Sequence, residues 1–138
     1  MKYFAFLICL SLLSVINLTA INLDTDNYKQ EVSNSGDVWL IEYFSKRCGT
    51  CQEFEPIWKN VVSKLENIKI GRVDIDEVKG MKLAQELNIL EEGIPNVKMI
   101  FKGKQTTIMT GMDDKLKNEQ ELLQSIKKVL NSYQNTEL

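Results

Sequence analysis

Cys48 and Cys51 stand two residues apart, with Gly49 and Thr50 between them, a spacing at which one helical turn brings two sulfurs to bonding distance. Paired thiols at this spacing hold a metal, attach haem or exchange disulfides. A tetrahedral zinc site needs four ligands, but the chain has no histidine and only one further cysteine, Cys9, which lies in an apolar N-terminal run. Haem attachment needs a histidine directly after the second cysteine, and Gln52 occupies that place. A bond across two intervening residues closes too short a loop to restrict the unfolded chain much, so a stability role is poor. Dithiol–disulfide exchange is left, beside the plainer alternative of two ordinary buried thiols.

The elements around the pair favour exchange. Val38 to Phe44 is nearly continuous in apolar, β-favouring residues, the pattern of a strand buried on both faces. Gln52 to Glu66 carries Phe54, Ile57, Trp58, Val61, Val62 and Leu65 at helical spacing, with Pro56 expected to kink it. Cys48 therefore sits between a buried strand and a helix N-terminus, where unpaired amides and the helix dipole stabilise a thiolate. Cys48 is the expected nucleophile and Cys51 the resolving thiol. Glu42 is the one charged residue of the apolar strand, where an unpaired carboxylate is costly and its pKa should rise.

Further elements follow by the same reading. A strand is expected over Thr19 to Leu23, then a short helix capped by Asp24 or Thr25 and ending at Val32, and a turn over Asn34 to Asp37. Ile68 to Ile75 reads as a strand and Lys79 to Leu87 as a helix. Val97, Met99 and Phe101 alternate with Lys98, Ile100 and Lys102, and the chain turns at Lys102-Gly103-Lys104 into a second run, Gln105 to Thr110, predicting a hairpin. A last helix, Leu116 to Tyr133, places Leu122, Leu123, Ile126, Val129 and Leu130 on one side. The order βαβαβαββα predicts an α/β fold, a mixed central sheet with helices on both faces.

The 138 residues, 43% hydrophobic and 26% charged, suit one compact domain. Seventeen Lys and Arg against nineteen Asp and Glu, with no long single-sign run, exclude a nucleic-acid binder, whose phosphate affinity needs a concentrated cationic face. Met1-Lys2 precedes an apolar run, Phe4 to Ile16, and Leu18-Thr19-Ala20 ends on a small residue. This layout predicts a signal peptide over 1–20, a mature domain over 21–138 and a place in the secretory pathway, in the endoplasmic reticulum lumen or outside the cell. Membrane attachment is expected only if that segment stays uncleaved. Thiol exchange needs no cofactor and none is expected; nor is a metal.

At these residues the chain resembles the thioredoxin superfamily, and within it single domains of protein disulfide isomerases. The likeness rests on Val38 to Pro56, with its strand, Cys-Gly-x-Cys and a proline five residues after the second cysteine, on Gly93-Ile94-Pro95 before the alternating strand, and on Gly111 after the hairpin. It implies a thioredoxin fold, a redox-active disulfide and cysteine-containing proteins as substrates, with the domain monomeric unless docked to a partner. It implies that Pro95 is cis, that Gly49, Thr50, Ile94, Pro95 and Gly111 border the substrate, and that Glu42 accepts the proton of Cys51. It also places Arg72 where the family usually has lysine, either as a partner for Glu42 or as a solvated surface charge.

Departures from that pattern carry information too. Arg47 and Thr50 stand where the isomerases have Trp and His, a loss that favours the disulfide and makes a weaker oxidant. Arg47 and Lys46 are placed to restore part of the missing charge. The segment Leu90 to Ile94 is about two residues longer than usual. These changes motivate a second reading, a thioredoxin-fold subunit whose cysteines stay oxidised while it docks a fixed protein partner.

Overall fold

The computed structural model describes residues 19–111 and 118–135; the expected signal segment falls almost wholly outside them. The elements are β1 (Ile21–Asn22), a π-helical turn (Lys29–Ser33), β2 (Trp39–Phe44), α1 (Gly49–Val62), β3 (Lys69–Asp74), α2 (Val78–Glu86), α3 (Ile89–Glu92), β4 (Asn96–Phe101), β5 (Lys104–Met109) and α4 (Glu119–Asn135). The sheet order is β1-β3-β2-β4-β5. The first three strands run parallel, while β4 and β5 are antiparallel to their neighbours. This is the α/β thioredoxin fold with a mixed sheet.

Strand β2 is central because its side chains can be buried on both faces. Leu40 joins Phe54, Trp58 and Val61 of α1 and Leu122 and Ile126 of α4 on one side. Trp39, Ile41 and Tyr43 join Leu83 and Ala84 of α2 and Ile89 of α3 on the other. The period-2 alternation of a strand thus divides one apolar run between two cores. Glu42 shares the parity of Leu40 and so belongs to the α1 side.

Helix α1 begins three residues before the expected Gln52 because Cys48 caps it: Cys48 is extended (φ −85°, ψ 117°) and its Sγ accepts the Cys51 amide at 3.1 Å. It runs through Pro56 and ends at Val62, short of Glu66, where tighter turn bonds and the left-handed Asn67 (φ 59°) redirect the chain. The expected first helix is a π-helical turn. The long segment before Pro95 folds into α3, bounded by Asn88 (φ 56°) and Gly93 (φ 81°), both left-handed. The hairpin turns on Lys102 (φ 48°) and Gly103 (φ 75°), the paired positive φ that suits the twist of its strands.

Lys98, which alternates with Val97 and Met99 along β4, is buried. Its side chain is 1% exposed, paired with Glu92 of α3 and 2.7 Å from Thr107 Oγ1 of β5. Asn96 Nδ2 also reaches Glu92, at 3.3 Å. The buried ammonium is tolerated because a carboxylate and a hydroxyl meet it, and the contact ties α3 to the sheet.

Candidate active site

Cys48 and Cys51 form a disulfide with Cα atoms 5.2 Å apart. Cys48 is half-buried at the end of the β2–α1 connection, whereas Cys51 is buried in the first turn of α1. Two donors converge on Cys48 Sγ: the Cys51 amide, and the Thr50 hydroxyl at 3.2 Å, which must be the donor because a disulfide sulfur has no hydrogen to give. Both add to the field of the helix N-terminus.

The cations expected to supplement this field are engaged elsewhere. Lys46 Nζ lies 2.7 Å from Asp74, and Arg47 Nη2 lies 2.9 Å from Asp76. Asp76, at the β3–α2 connection, also accepts the Ser45 hydroxyl at 2.8 Å, the Lys46 amide at 2.8 Å and Arg47 Nε at 2.9 Å. Ser45 in turn accepts the Arg47 amide at 3.0 Å. These donors, the Ser45 hydroxyl first, hold the Asp76 carboxyl below its ordinary range. The charge of Arg47 and Lys46 is thus spent on fixing the approach to Cys48.

Below the disulfide lies an open cleft of about 710 Å³, bordered by Cys51, Glu55, Phe44, Lys46 and Arg72. Glu42 is 0% exposed, and Arg72 Nε donates to its Oε2 at 2.7 Å; Oε1 has no hydrogen-bond partner among the described residues. Burial pushes the Glu42 carboxyl up to about 7, with Arg72 opposing and Glu55 adding to the rise. Arg72 is 20% exposed and spends its two terminal nitrogens on Glu55 of α1, Nη1 to Oε1 at 3.2 Å and Nη2 to Oε2 at 2.5 Å. Its guanidinium also lies 4.0 Å from the Phe44 ring centroid. Burial works to raise the Glu55 carboxyl, but Arg72 and Lys59 outweigh it and hold the group low.

Just before β4, the Ile94–Pro95 peptide is cis. Gly111 packs against it so closely that a Cβ there would sit 2.6 Å from the Ile94 carbonyl oxygen. The residues expected from the sequence therefore fall in two groups. Cys51 and Arg72 border the cleft, and Arg72 reaches Glu42 beneath; Cys48, Gly49 and Thr50 sit above. Gly111 meets Ile94 beside the cis Pro95 at the start of β4. Sequence reasoning missed Glu55 and Asp76. Glu55 was detectable as the carboxylate one helical turn after Cys51; Asp76 carried no signal beyond its place after a strand.

The family model described as Thioredoxin matches residues 19–128. A protein disulfide isomerase-like 2-3 of Oryza sativa subsp. japonica is 34% identical over 95 residues, 68% of this chain and 21% of the relative. The human protein disulfide-isomerase A6 is 33% identical over 85 residues, 61% of this chain and 18% of the relative. The chain thus spans about a fifth of the length of these curated relatives. A crystal structure of thioredoxin from Trypanosoma brucei brucei superposes with a TM-score of 0.67 at 14% identity, covering 82% of this chain and 92% of that one, a likeness of fold.

Proposed function

Because this chain belongs to the thioredoxin family, we propose that it is a thiol–disulfide oxidoreductase acting on cysteine-containing proteins, with Cys48 as nucleophile and Cys51 as resolving thiol. The observation that carries this reading is the asymmetry of the pair: a half-buried cysteine that caps a helix, bonded to a buried one at the head of a cleft that also holds a carboxylate–guanidinium pair.

In the reducing direction the Cys48 thiolate attacks a substrate disulfide. The substrate S–S bond breaks, one substrate sulfur leaves as thiolate, and a Cys48–substrate disulfide forms. Cys51 then loses its proton to Glu42 and its thiolate attacks Cys48 Sγ. The mixed disulfide breaks, the Cys48–Cys51 bond forms and the second substrate thiol is released; the substrate is reduced and the domain oxidised. Oxidation of a substrate dithiol is the reverse sequence. A base ionising near neutral pH suits this transfer, because it can both take and return a proton. Thr50 and the Cys51 amide stabilise the Cys48 thiolate as attacker and as leaving group. Ile94, Pro95 and Gly111 form the shelf against which substrate backbone lies. The N-terminal layout of Met1 to Ala20 supports a place in the secretory pathway.

Purified domain should catalyse insulin reduction by dithiothreitol, and Cys51→Ala should accumulate mixed disulfides that Cys48→Ser abolishes. Absence of both activities, with a reduction potential below about −300 mV, would assign the disulfide to a permanently closed docking subunit instead.

A further inference from the structure

Arg72 faces two carboxylates on two elements, and its nitrogens are divided unequally between them. Nε serves Glu42 of β2, and both Nη groups serve Glu55 of α1. Phe44 beneath the guanidinium and Lys59 beside Glu55, 3.3 Å away, hold that division in place. One oxygen of Glu42 is therefore left without a donor among the described residues although the side chain is fully buried beside a cation.

We propose that Glu55 is a positioning residue for the resolving step: by occupying the two Nη groups of Arg72 it prevents a bidentate grip on Glu42 and keeps Glu42 Oε1 open to the proton of Cys51. The inference rests on the reading of Glu42 as proton acceptor given above. A guanidinium released from Glu55 would have Glu42 as its remaining carboxylate partner and would offer it the parallel two-bond geometry that Arg and carboxylate prefer. That grip would cover Oε1 and weaken the base. Glu55 also serves from the helix that carries Cys51, so the acceptor and the proton donor are set against each other through one ion-pair bridge. The charged groups around this bridge are Arg72 and Asp74 of β3, Glu55 and Lys59 of α1, Lys46 of the β2–α1 connection, Asp24 after β1 and Glu77 before α2; Lys46 is occupied by Asp74.

The test follows resolution directly. Reduced protein is mixed with excess glutathione disulfide, quenched in acid at intervals, and the mixed disulfide and the closed Cys48–Cys51 form are counted by mass from pH 5 to 9. Wild type is compared with Glu42→Gln, Glu55→Gln and the double variant. In Glu55→Gln the mixed disulfide should persist about tenfold longer at pH 7, and the acid limb of the rate profile should move to lower pH. In the Glu42→Gln background, Glu55→Gln should add nothing. Wild-type decay and an unmoved acid limb in Glu55→Gln, or further slowing in the double variant, would overturn the proposal. If Glu42→Gln itself resolves like wild type, the proton-acceptor reading fails and the role of Glu55 falls with it. Glu55 is partly exposed, so its amide variant is expected to keep the wild-type melting temperature within a few degrees.

Discussion

Glu42 should make the stability of this domain depend on pH in the sense opposite to most carboxylates. In the unfolded chain it takes up its proton at about 4.5 and in the fold at about 7. Between these values the folded state holds a proton that the unfolded state has released. The contribution of this group is therefore most favourable below pH 4.5, declines as pH rises, and is fully lost above pH 7. At about 1.36 kcal/mol for each pH unit, the loss amounts to about 3 kcal/mol, a substantial part of the roughly 5–15 kcal/mol that holds a domain together. Because Glu42 is completely buried, solvent screening gives little reduction of this figure. Glu42→Gln keeps the shape and removes the titration. Relative to wild type, the variant should be about 3 kcal/mol more favourable at pH 8 than at pH 4.5. Urea unfolding of both oxidised proteins, followed by the fluorescence of the buried Trp39 and Trp58, measures this difference and cancels the titration of all other groups. A difference that stays flat from pH 4.5 to 8 would show that folding leaves the proton affinity of Glu42 unchanged, and would remove the basis for its action near neutral pH.

Three further outcomes are expected. Gly80→Ala would put a Cβ 2.1 Å from the Asp74 carbonyl oxygen and should lower the melting temperature by about 10 °C, read by circular dichroism. Glu92→Ala should cost about 2 kcal/mol by stranding the buried Lys98 ammonium, while Lys98→Met should cost less than half of that, by urea titration. Thr50→Val should slow iodoacetamide alkylation of Cys48 at pH 7 by about threefold to tenfold, whereas Thr50→Ser should keep the wild-type rate.

The elements that bury continuous apolar runs were legible in the residues, because β2, α1 and α4 each express a period that only one kind of element satisfies. Glu42 was legible for the converse reason: a lone charge in such a run has to be either misplaced or useful. The burial of Lys98 was not legible, because its partner Glu92 sits on α3, a helical turn too short to show a periodicity. The start of α1 was placed three residues late, at Gln52, because a cysteine took the capping place usually held by Ser, Thr, Asp or Asn. The partners of Glu55 and Asp76 were not legible. These partners, Arg72 and the Ser45 to Arg47 segment, lie 17 or more residues away in the chain and meet the two carboxylates only once the sheet has formed.

The grip of Asp76 on the segment before Cys48 bears on how the redox state of this protein is communicated. Among the described residues, every donor on that carboxylate comes from Ser45, Lys46 or Arg47. Opening the Cys48–Cys51 bond therefore breaks none of these hydrogen bonds directly. A molecule that distinguishes the oxidised from the reduced protein therefore gains nothing from the Asp76 bonds themselves, and is expected to read the sulfur atoms and the Thr50 hydroxyl and Cys51 amide that contact them.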